Sequence, residues 1–175
     1  LRPNYNRKPL PIISLAQDVS TITACSNDYS FEKLFSRNLE ALYNKGDILI
    51  TISTSGMSKN IINVLNYAKK NNIFSISLLG KGGGKAKYLT NIPIVVPSKN
   101  VARIQECHIF IGHLILEWVE DQLIKKKIIK KKFDEKKVDN LLLKYGNDIV
   151  YPNNNNNEII NYLGKNKFFS FIIDE

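Results

Sequence analysis

Four apolar runs, each of strand length and each separated from the next by polar or helix-patterned residues, limit the folds open to this chain. They are PIISLA (11–16), DILITIS (47–53), IFSISLL (73–79) and NIPIVVP (91–97). Between the first two, Phe31, Leu34, Phe35, Leu39 and Leu42 recur at helical spacing, with Ser30 as N-cap and Gly46 as a stop. Ser58 caps a second helix to about Asn72, with Ile61, Ile62, Val64, Leu65 and Ala68 on one side. A long helix follows from about Val101 to beyond Trp118. Short connections and strand–helix alternation predict an α/β fold, a three-layer αβα sandwich with a parallel sheet covered by helices on both faces. In such sheets ligands bind beyond the carboxyl ends of the strands.

The segment ISTSGMSKN (52–60) lies at such an end, and it holds four hydroxyl side chains around a glycine. A plain turn needs one or two polar residues. Ser53, Thr54, Ser55 and Ser58 therefore form either a phosphate site, using hydroxyls and the free N–H groups of a helix start, or a Ser/Thr-rich turn with a cap. GKGGGK (80–85) looks like a nucleotide-binding P-loop but fails the pattern. Gly84-Lys85 would require Gly at 79 and Ser or Thr at 86, where the chain has Leu79 and Ala86. It is expected to be a flexible turn.

Within ARIQECHIFIGHLILEWVE (102–120), His113 falls in an apolar run and is expected to be buried or in a cleft, as a ligand or as a hydrogen-bonded core residue. Gln105 precedes it by eight residues, about 12 Å along a helix axis. His108 lies differently on the helix and is expected to face solvent or a neighbouring subunit. Asn27-Asp28 reads as a turn or cap, with a polyol ligand as the alternative.

The net charge of +9 does not by itself imply nucleic acid. Residues 121–137 hold eight Lys against three acids, leaving +4 for the rest, and the basic stretch has no interleaved aromatic platform beyond Phe133. No apolar run approaches the roughly 20 residues of a membrane span, and no signal-peptide core opens the chain. Cys25 and Cys107 show no metal-type spacing, so a reduced, cytoplasmic protein is expected.

Together ISTSGMSKN, GKGGGKAKYL and VARIQECHIFIGHLILEWVE, with PLPIISLAQDVSTITACSNDYSFEKLF, resemble the sugar isomerase (SIS) domain and, within it, the phosphoheptose isomerase family. The resemblance covers about residues 5–120. It implies an aldose–ketose isomerase converting sedoheptulose 7-phosphate to D-glycero-D-manno-heptose 7-phosphate through an enediol. It also implies a homo-oligomer, typically a tetramer, with one zinc per subunit. Carried over by position, Ser53, Thr54, Ser55 and Ser58 would hold the phosphate, and Asp28 would contact the sugar. Gln105 and His113 would be zinc-associated, His113 also serving as general acid or base. The family places a glycine–serine loop and a helix bearing a His and a Glu before the region matching Leu1, so the domain is expected to be N-terminally incomplete. The chain, starting at Leu1, is either a fragment or a natural product, and taken as complete it is expected to have negligible isomerase activity.

Two other functions fit part of this pattern: a phosphosugar sensor and a SIS adaptor that binds the replication initiator. Ser55 and His113 favour the isomerase over the adaptor. The expected organisation is a SIS domain over 1–128 and a Lys- and Asn-rich linker over 129–165. Residues 166–175 are either the start of a further domain or an edge strand.

Overall fold

The computed structural model describes residues 9–129 and 169–173, the last five by backbone alone. They fall into two units. One comprises Leu10–Gly112 with the strand at 169–173, and the other includes Pro9 and residues 113–129. The linker expected over 129–165 lies almost wholly outside the described residues.

In the first unit the order is β1 (Ile12–Ser14), α1 (Val19–Asp28), a 3-10 turn (Phe31–Lys33) and α2 (Leu34–Leu42). Then come β2 (Ile48–Ser53), α3 (Lys59–Lys70), β3 (Phe74–Leu79), a second 3-10 turn (Ala86–Tyr88) and β4 (Ile92–Val95). Helix α4 (Val101–Lys125) starts in this unit, and β5 (Phe169–Ile173) completes its sheet. All neighbouring strands are parallel, in the order β1-β5-β2-β3-β4. β5 thus occupies an interior position, not an edge. Pro93, which cannot donate to a ladder, sits on edge strand β4.

The sequence runs explain the strands. β2 and β3 are buried at nearly every position, as a sheet covered on both faces requires. Their polar residues are paired: Thr51 Oγ1 and Ser77 Oγ lie 2.7 Å apart, and the Ser75 hydroxyl donates to Asn91 Oδ1 at 3.1 Å. One core gathers Leu34, Phe35 and Leu39 of α2, Ile61, Val64, Leu65 and Ala68 of α3, and Leu49 and Leu79 of the sheet. Asn72, in the left-handed region at φ 56°, closes α3, with the Ile73 N–H reaching back to the Ala68 carbonyl.

Helix α1 was not expected. Its sequence, VSTITACSND, is rich in β-branched and hydroxyl residues that give little helix signal. Asp18 compensates as N-cap, accepting from the Ser20 and Thr21 N–H groups. The Thr21 hydroxyl also donates to Asp18, and this bond, with the backbone ones, holds the Asp18 carboxyl below its usual range.

Besides Pro9, the second unit's described part is the helix from His113 to Lys125 and its closing turn. There Lys127 takes φ 56° and the Ile128 N–H bonds the Leu123 carbonyl. Among the described residues no helix is long and apolar enough to cross a membrane.

Candidate functional site

β2 ends at Ser53 and α3 begins at Lys59, so the four hydroxyl residues form the loop and cap between a parallel strand's carboxyl end and a helix start. Two hydroxyls are oriented by the loop itself. Ser53 Oγ accepts the Gly56 N–H at 3.1 Å, and Ser55 Oγ accepts the Met57 N–H at 3.1 Å. A serine hydroxyl carries one donor and two acceptor lone pairs, so each still has its proton to give. Ser58 is the N-cap residue of α3, yet its side chain makes no capping bond. The first N–H groups of a helix have no intrahelical partners, and the helix dipole favours negative charge there. Oriented hydroxyl donors beside a helix start suit an anion with several oxygens, above all a phosphate.

Lys59, the first residue of α3, pairs with Glu32 at 2.8 Å across from the first 3-10 turn. The Glu32 hydrogen bond and charge raise the Lys59 pKa above the usual lysine range, and the pair is solvent-exposed. Asn63 Nδ2 donates to the Glu32 carbonyl at 3.0 Å, so the same residue holds α3 at two points.

The segment after β3 is not the loose turn expected. Gly83 and Gly84 pack backbone to backbone against Ser55 and Gly56, and the Ala86 N–H donates to the Gly56 carbonyl at 3.0 Å. The signal available in the sequence was the run Gly82-Gly83-Gly84. Three successive residues without Cβ permit close backbone approach as well as flexibility.

The two histidines exchange the places expected of them. His108 is 3% exposed, and its Nε2 lies 3.1 Å from the Leu79 carbonyl. A carbonyl only accepts, so Nε2 carries the proton, and Nδ1 is buried without a hydrogen-bond partner. His113 is exposed. Helical period accounts for His108, which follows the buried Ile104 by one turn and shares its face. Gln105 is half-buried on the same helix. Asp28 is exposed and ends α1, where a turn was expected, and its Oδ1 accepts from Asn27 Nδ2 at 2.9 Å.

A zinc site needs about four ligands. Among the described residues no group of three or more His, Cys, Asp or Glu side chains is placed to hold a metal. Gln105 and His113 offer two donors at most, so the residues described do not by themselves fit a zinc ion.

A family profile for the SIS domain matches residues 2–80, which include the hydroxyl loop. The chain has the SIS fold. More narrowly, its sequence is similar to those of phosphoheptose isomerases. It is 49% identical over 115 residues to the phosphoheptose isomerase of a Nitratiruptor species, covering 66% of this chain and 62% of that one. It is 44% identical over 122 residues to that of Sulfurimonas denitrificans, covering 70% and 63%. Among solved structures, a phosphoheptose isomerase from Neisseria gonorrhoeae superposes with a TM-score of 0.57 at 39% identity, over 58% of each chain. The chain spans about three fifths of the length of these relatives.

Proposed function

We propose that this chain binds a sugar phosphate through Ser53, Thr54, Ser55 and Ser58 and serves an aldose–ketose isomerase; the relatives it resembles are named phosphoheptose isomerases. The carrying observation is the loop geometry. Ser53 and Ser55 each accept a backbone N–H, which leaves their protons for an anion, at the start of a helix whose cap residue is uncommitted. The substrate proposed is sedoheptulose 7-phosphate, with D-glycero-D-manno-heptose 7-phosphate as product.

Isomerisation moves a proton between C1 and C2 through an enediol, which requires a base at carbon and an acid at oxygen. An imidazole can give or take a proton, and His113 is assigned one of these roles here. Asp28 is assigned a hydrogen bond to a sugar hydroxyl. A homo-oligomer, with a tetramer as the expected state, belongs to the same proposal. Support comes from exposed Ile109 and Phe110 on α4, an apolar pair of the kind subunits cover.

The test is to follow aldose formation from sedoheptulose 7-phosphate, and binding of the same ester, with the unsubstituted protein and with His113→Ala. Ester binding that persists in His113→Ala is the expected result, and any turnover by the unsubstituted protein should disappear in the variant. Absence of ester binding by the unsubstituted protein would refute the loop assignment. Turnover unchanged in His113→Ala would remove the histidine from the proton transfer.

A further inference from the structure

β2 and β3 are adjacent and parallel, so the segments that follow them leave the sheet at the same end. The hydroxyl loop follows β2 and the glycine turn follows β3. Their contact is made of backbone. A Cβ on Gly56 would stand 2.1 Å from the Gly83 carbonyl oxygen. A Cβ on Gly84 would stand 2.6 Å from the carbonyl oxygens of both Ser55 and Gly56. Gly56 and Gly84 also take φ of 62° and 52°, so neither position admits a side chain without displacing the other segment.

The contact has a direction. The Ala86 N–H holds the Gly56 carbonyl, and in a planar trans peptide that turns the Met57 N–H the opposite way, where it meets Ser55 Oγ. The turn thereby decides which lone pair of Ser55 is occupied and where its proton is free to point. The turn is itself held at its root. The Lys81 N–H donates to the Ser98 carbonyl at 3.2 Å, and His108 holds the Leu79 carbonyl. Ile104 fills the space beside Gly80, where a Cβ would lie 2.5 Å from its side chain.

We propose that the glycine turn is the positioning element of the anion loop, with Gly56 and Gly84 as the residues through which it orients the Ser55 hydroxyl. This rests on the reading that the loop holds a phosphate ester. It adds that affinity is set by the neighbouring turn as much as by the hydroxyls themselves.

Gly84→Ala and Gly82→Ala separate this role from general stability. Gly82 also has a positive φ, 84°, but open space around its Cβ position, so Gly82→Ala brings backbone strain without collision. With inorganic phosphate as probe, Kd is expected to rise about tenfold or more in Gly84→Ala and less than about twofold in Gly82→Ala. Equal weakening in the two variants, or unchanged affinity in Gly84→Ala, would overturn the positioning role alone. A measurement on the unsubstituted chain covers the case in which Gly84→Ala does not fold. Added phosphate should slow hydrogen exchange at the Ala86 amide together with Gly56, and an unresponsive Ala86 amide would overturn the proposal. No phosphate binding by the unsubstituted chain would instead overturn the phosphate reading, and this inference with it.

Discussion

The connections after β2 and β3 leave neighbouring strands at one end of the sheet, yet they are built from opposite materials. The first is a loop of hydroxyls, whose residue types name a chemistry. The second is a turn of glycines, whose residue types name only a lack of bulk. The first makes its donors available, and the second occupies the space that fixes their direction. A side chain can be replaced in the first at the cost of a contact. In the second the missing side chain is itself what fits.

The largest expected effect tests the contact between the two connections directly. Gly56→Ala adds a collision with the Gly83 carbonyl to an unfavourable φ and should cost about 3 kcal/mol or more of stability, read from urea unfolding. A loss under about 1 kcal/mol would show that the two segments separate easily and erase the comparison. Beneath both loops, Ser77→Ala leaves the buried Thr51 hydroxyl unpaired and should cost about 1–3 kcal/mol. Adding Thr51→Val should recover part of that loss, and a purely additive double variant would mean that the hydroxyl pair contributes nothing as a pair.

Ser55→Ala sharpens the other side. Phosphate affinity should fall about tenfold while stability stays within about 0.5 kcal/mol, because the half-buried hydroxyl supports little beyond the Met57 N–H. The smallest effect contrasts the two helix starts. Ser58 makes no capping bond, whereas Asp18 caps α1 through its carboxylate. Because folding lowers the Asp18 pKa, its contribution is complete above the ordinary value of 3.8 and is lost as pH falls through the lower folded value. Asp18→Asn should therefore flatten the acid end of the melting-temperature profile slightly. An unchanged slope below about pH 4 would show that the carboxylate does not stabilise the cap.

The four strands from β1 to β4 were legible because short apolar runs with abrupt polar boundaries leave few alternatives. The hydroxyl loop was legible because four hydroxyls exceed the needs of a turn. Helix α1 was not, since Val19, Thr21, Ile22 and Thr23 give a weak helical signal that the Asp18 cap and tertiary packing override. The histidines were misplaced because the apolar run around His113 drew attention from the one-turn relation between Ile104 and His108. The position of β5 was not legible either, since strand pairing depends on partners far away in sequence, and Ile12 pairs with Phe169. The glycine turn failed the one motif it was compared with, and packing against another loop leaves no motif to find.

That pairing pattern has a consequence for the order of assembly. Thr51 and Ser77 are 26 residues apart, and Ser75 and Asn91 are 16 apart, so β2, α3, β3 and β4 form one contiguous stretch. The bond from Ala86 to Gly56 closes inside it. Closing short loops costs less chain entropy than closing long ones, and local contacts form sooner. The hydroxyl loop and its glycine partner can therefore be set while the chain is still emerging, whereas the gap between β1 and β2 waits for residues near 170. Loop-closure entropy thus favours an order in which the hydroxyl loop and its glycine partner meet before the sheet is complete.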